Sequence, residues 1–223
     1  MILVSRSILA FFICSFLNVV YAQDISLLPK YGLLPKSEAL IAADKSFIAA
    51  MDEQFKGDRK KAADEVSIRG WQYLKAGNAT YSMRRFNEAW LLDNTNGYAL
   101  WGMAVNQVTA GKLNESLSLF SEADLTKHDD VDFSVDYARA QGFVGAQKKN
   151  QTLLNEAFAH FSKIYDQAPD HTLNLQNWAI TLFYVGHYTE AWQKIKLAEA
   201  TPRSAEIDKS FIAALQSKMP RPS

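Results

Sequence analysis

"GWQYLKAGNATYSMRRFNEAWLLDNTN", from Gly70 to Asn96, holds two amphipathic stretches on either side of Gly77. Before that glycine, Val66, Gly70 and Tyr73 keep helical spacing; after it, Ser82, Phe86 and Ala89 set a small residue, then a large one, then another small one. Residues three and four apart are neighbours on a helix, so each stretch offers one face for packing. A glycine between two such stretches ends the first helix in a left-handed turn. The segment predicts a helical hairpin.

Working outward, the same signs recur in register. Gly77, Gly111 and Gly145 are 34 residues apart, and Gly186 follows after 41. The second-helix spacing returns as Ser116, Phe120, Ala123, then Ala157, Phe161, Ile164, then Ala191, Ile195, Ala198. The first-helix spacing returns as Leu100, Ala104, Gln107, then Ser134, Ala138, Gln141, then Leu175, Ala179, Leu182. A fixed period of this length marks a repeat array, in which each unit buries its apolar face only against its neighbours.

At these positions the chain resembles the tetratricopeptide repeat (TPR) family, whose unit is a 34-residue helix-turn-helix. The likeness is best in Gly70 to Asn96 and in "AITLFYVGHYTEAWQKIKLAEATP", Ala179 to Pro202. It implies an all-α fold, a right-handed α-solenoid of about four hairpins with flanking capping helices. The repeats would run over 63–96, 97–130, 131–171 and 172–205. Departures are Arg69 for the usual leucine, Ser82 and Ser116 for the usual alanine, and a closing proline only at Pro169 and, one residue early, at Pro202.

The resemblance also implies a groove lined by the first helices, where extended peptides or partner helices bind. Counting along those helices puts Ser67, Trp71 and Leu74, then Tyr98, Trp101, Val105 and Val108, then Val135 and Arg139, then Gln176, Ile180 and Phe183 on that face. It would be aromatic and apolar with one strong cation. Trp71 and Trp101 either line this groove or pack between repeats. The lysine and asparagine clamp by which some members hold a partner's terminal carboxylates is not matched, because Ser67, Trp71, Gly102, Asp132 and Asp136 stand in its places.

In the third repeat the surplus "AQKKNQT", Ala146 to Thr152, either lengthens the turn or adds about two turns to the second helix. It is read as a tolerated surface insertion, since loops accept length at small cost, or as a protrusion that touches a partner. At the ends, residues 23–36, with Pro29 and Pro35, read as an extended lead-in, 37–57 as an N-terminal helix and 206–219 as a C-terminal capping helix. "DKSFIAA" occurs in both end helices, at Asp44–Ala50 and Asp208–Ala214. In each copy Phe, Ile and Ala are expected to face the stack and Asp, Lys and Ser to face water. Ala43, Phe47 and Ala50 repeat the second-helix spacing.

Met1 to Ala22 has one cation, Arg6, an apolar run from Ile8 to Val20 and small residues ahead of Gln23, which reads as a secretory signal peptide. The protein is therefore expected to be exported, periplasmic if the source is Gram-negative and otherwise secreted. No stretch reaches the roughly 20 apolar residues of a membrane span. Cleavage would remove Cys14, the single cysteine, and Arg6, leaving 24 − 1 = 23 basic against 24 acidic residues. Such a balance argues against nucleic acid as a partner.

Little here suggests chemistry. "DDVDFSV" at Asp129–Val135 lacks the glycine and distal glutamate of a calcium loop and reads as a helix start. His128, His160, His171 and His187 show no ligand spacing and read as solvated surface residues. No nucleophile stands beside a base and no phosphate loop is present, so neither enzyme activity nor a cofactor is expected. Asn78, Asn114 and Asn150 begin glycosylation acceptor patterns that also read as polar turns. The leading expectation is a scaffold or adaptor that binds a peptide or protein in its groove; the alternative is a structural subunit of a cell-envelope assembly.

Overall fold

The structure, a computed structural model, describes residues 24–222; the expected signal segment and Cys14 lie outside them. Among the described residues ten α-helices follow one another: α1 (Glu38–Gln54), α2 (Arg59–Lys75), α3 (Ala79–Leu92), α4 (Gly97–Thr109), α5 (Leu113–Lys127), α6 (Val131–Lys148), α7 (Gln151–Gln167), α8 (Thr172–Tyr184), α9 (Tyr188–Glu199) and α10 (Lys209–Lys218). No strand occurs among the described residues. Helices α2 to α9 form four antiparallel hairpins, α2–α3, α4–α5, α6–α7 and α8–α9.

Short polar side chains start these helices. Asn78, Asn96, Asp130 and Asn150 accept the backbone N–H of Tyr81, Ala99, Phe133 and Leu153; such a cap stabilises a helix by about 1 kcal/mol. Gly77, Gly111 and Gly186 turn three of the hairpins at φ 74°, 73° and 84°. A Cβ at any of them would meet open space, so the backbone conformation and not room selects glycine.

The third hairpin departs from its expected form. Gly145 does not end the first helix: it is buried within α6 against Leu154. Lys149 takes the left-handed position instead, at φ 53°. The inserted residues continue α6 to 18 residues, against 13 in α4, and α7 reaches 17 against 15 in α5. Residues with good helix propensity, Ala146, Gln147 and Lys148, extend a helix more readily than they form a loop.

The repeated small and large positions are the core. Phe86, Phe120, Phe161 and Ile195 are fully buried, as are Ser82, Ser116, Ala157 and Ala191. Phe86 fills a notch between two glycines: a Cβ on Gly70 would stand 2.5 Å, and one on Gly102 2.0 Å, from its ring. Aromatic contacts carry the core onward, from Trp101 to Phe133 at 5.7 Å and from Phe120 to Tyr137 at 5.4 Å. Leu175, Leu182 and Ile195 pack with Trp192 in the last hairpin.

Among successive first helices, α2 packs on α4 and α6 on α8, with a lighter contact between α4 and α6, whereas successive second helices stay further apart. A stack that is tighter on one side curves toward it, so the first helices line the inner face.

The ends differ from their reading. Residues 24–36 are not extended but form two 3-10 turns, Ile25–Leu27 and Pro29–Leu33, strapped along α3. Asn87, fully buried, donates from Nδ2 to the carbonyls of Ser26 and Leu28 at 2.9 and 2.8 Å. Tyr31 is buried, and Lys30 pairs with Glu122 at 2.5 Å. The two "DKSFIAA" copies also part company. In α10 Phe211 is buried as expected and Ile212 and Ala214 are half-buried, but Ala213 is exposed. In α1 Phe47 and Ile48 are half-buried, but Ala43 and Ala50 are exposed and Asp44 turns inward to bind Lys36 at 2.5 Å. The segment before α1 supplies, in Lys36, the cation that draws Asp44 in.

Candidate functional site

The inner face holds two open clefts. The first, of about 640 Å³, is lined by Asp64, Ile68, Trp71, Gln72 and Lys75 of α2, Tyr98 and Trp101 of α4, and Asp132 of α6. The second, of about 460 Å³, lies between α4, α6, α8 and the start of α10; Val108, Arg139, Phe143, Gln176, Ile180, Tyr184 and Asp208 are among its walls.

The expected groove residues separate accordingly. Trp71, Tyr98 and Trp101 meet in the first cleft, and Val108, Arg139, Gln176 and Ile180 in the second. Leu74 and Val105 are half-buried against the N-terminal core and line neither cleft. Ser67 and Val135 are buried. Phe183 is covered by Phe211 of α10 at 5.7 Å, so the terminal helix removes it from the groove. Each interior first helix packs on both its own partner and the next first helix, so its buried sector is wide. The exposed stripe is therefore rotated by about one residue, to Asp64, Ile68, Trp71 and Lys75 on α2 and to Tyr184 in place of Phe183 on α8. A stripe at 64, 68, 71 and 75 has helical period and was legible in the sequence, but nothing there says which of two adjacent stripes is covered.

Trp101 proves to be both core and wall. It is 9 % exposed, sits edge-on to Trp71 at 4.7 Å, and donates from Nε1 to Asp136 Oδ2 at 3.0 Å. Trp71 is half-buried and donates from Nε1 to the Tyr98 carbonyl at 3.3 Å. Asp136 lies behind Trp101 with Arg139 at 3.3 Å. Burial pushes its carboxyl above the usual range, and the Arg139 charge and the Trp101 hydrogen bond offset this only in part.

The cleft carboxylates are held from outside. Ser67 donates to Asn96 Oδ1 at 3.0 Å, and Asn96 donates from Nδ2 to Asp64 at 2.7 Å. His171 is not the solvated residue its sequence position suggests: its side chain is 13 % exposed and caps α8. Its Nδ1 accepts the Asn174 N–H, which leaves Nε2 to carry the proton and donate to Asp132 at 3.1 Å. His160 is likewise half-buried, against Tyr137 at 5.6 Å. Burial lowers its pKa. Among the described residues no three of His, Cys, Asp and Glu are placed to hold a metal ion, and no helix is long and apolar enough to cross a membrane.

No protein-family model matches the chain, and no curated protein matches it. Among solved structures it is similar to a thermophilic TPR protein from Thermus thermophilus, with a TM-score of 0.61 and 18 % identity over 71 % of this chain and 84 % of that one. The fold is thus the TPR fold, an α-solenoid of helical hairpins.

Proposed function

We propose that the protein is an exported scaffold that docks a peptide or protein partner on its inner face. The observation that carries this reading is the pair of open clefts, whose walls combine aromatic surface with a few charged groups. Binding sites and interface centres are commonly built so, and Trp, Tyr and Arg are enriched there. The reading assigns no catalytic role to any residue. Export rests on residues 1–22 alone: N-terminal sequencing of the protein recovered from its native compartment is expected to begin at Gln23, and an intact Met1 there would refute it.

Affinity capture from the envelope fraction tests the docking itself. Ile68 is 51 % exposed and Ile180 half-buried, both in the clefts, while Ser118 is exposed on α5. A partner held by the inner face is recovered with wild type and Ser118→Glu and lost with Ile68→Glu plus Ile180→Glu. Equal recovery with the double variant would move the interface elsewhere, as a structural subunit packed through its outer face requires.

A further inference from the structure

We infer that the first cleft reads a cationic side chain, an arginine or lysine in an extended segment of the partner; this rests on the docking reading above and names the chemistry it selects. Both indole N–H groups are already spent, Trp71 on the Tyr98 carbonyl and Trp101 on Asp136. What the two tryptophans offer the cleft is carbon and π surface, with no donor left to receive an anion. Ile68, 51 % exposed, extends that apolar wall.

The charged groups on the rim point the same way. Asp64 and Asp132 stand against Lys75 alone, so the lining is net acidic. Asp64 Oδ1 is oriented by Asn96 and Asp132 Oδ1 by His171, and among the described residues the second oxygen of each accepts no hydrogen bond. Asp132 is 73 % exposed and can swing to meet a ligand. An aromatic floor, an aliphatic wall and carboxylates at the mouth match an amphipathic side chain, which lays its methylenes on apolar surface and keeps its charge at the polar end.

The molecule already makes one such contact at this edge: Lys127 Nζ lies 3.0 Å from the centre of the Tyr98 ring. Tyr98 stacks in turn on Trp101, with centroids 6.4 Å apart. An acidic segment would instead meet two carboxylates and π faces; of the nearby cations, Lys75 lines the cleft and Lys127 is already seated on the Tyr98 ring.

The experiment is selection by the full-length protein from an array of blocked nonapeptides of random sequence. Bound peptides are expected to be enriched about tenfold in arginine or lysine at one position and depleted in acidic residues, the sum of one cation–π contact and one ion pair at a partly exposed site. Asp64→Asn plus Asp132→Asn should erase the enrichment while leaving the melting midpoint unchanged, and 0.5 M salt should weaken it. Selected peptides without basic enrichment, but lost with Ile68→Glu, would overturn the cation assignment and leave the docking face standing. Acidic enrichment, or persistence of basic enrichment in the double asparagine variant, would also overturn it. Failure to select any peptide would overturn it too; the capture experiment then judges the docking reading on its own.

Discussion

Phe86 touches two helices that the sequence marks only by the absence of a side chain, Gly70 and Gly102. Neither glycine adopts a left-handed conformation; both are notches for one ring. Gly102→Ala places a methyl on that ring and is expected to cost about 1 to 3 kcal/mol as an overpacking change. Phe120→Ala empties a fully buried site and is expected to cost about 3 to 5 kcal/mol. Urea melts measure both; a Gly102→Ala variant as stable as wild type would mean that Phe86 can move aside. Asp136 gives a pH signature. Its folded pKa is raised by burial, so the folded protein holds more proton there than the unfolded chain between the ordinary carboxylate pKa and the raised one. Stability therefore falls as pH rises through that window. Asp136→Asn should be more stable than wild type at pH 7, with the difference closing below pH ~4 as the carboxyl protonates in both states. A difference independent of pH would assign its effect to the Trp101 hydrogen bond instead.

At the scale of elements, the hairpins were legible because small and large residues repeat at helical spacing and three glycines mark the turns. Gly145 shared the phase of those glycines but not their role: Lys149 makes the turn, and residue spacing does not distinguish a glycine that turns the chain from one that admits Leu154. The lead-in was not legible in the same way: Pro29 and Pro35 suggest extension, while the partner that folds it, Asn87, lies about sixty residues away and is fully buried. Helix α10 closes the C-terminal end: Phe211 covers Phe183, and Trp192 donates to the Met219 carbonyl at 3.1 Å. Removing residues 204–223 should expose Phe183, Leu182 and Trp192, lower the melting midpoint and promote aggregation. A truncated protein that melts and sediments like the full chain would refute the capping role of α10. The outer helix α1, with no fully buried residue, should matter less: exchange protection in it is expected to be lower than in α3 or α4.

At the scale of the molecule, the curvature follows from small residues on the first helices, which let α2 approach α4 and α6 approach α8 closely. That same packing withdraws Ser67, Leu74, Val105 and Val135 from the face counted as a groove and leaves two clefts in place of one continuous surface. The identity of the exposed stripe depends on helix rotation of about one residue, which neighbouring hairpins set and a single repeat does not encode. Site-specific photo-crosslinking in the native compartment tests the inner face most directly. A photoreactive residue at Gln72 or Tyr184, in the two clefts, is expected to capture a partner, whereas one at Ser118 or Ser162, exposed on α5 and α7, is not. Capture from the outer positions with none from the clefts would contradict the account.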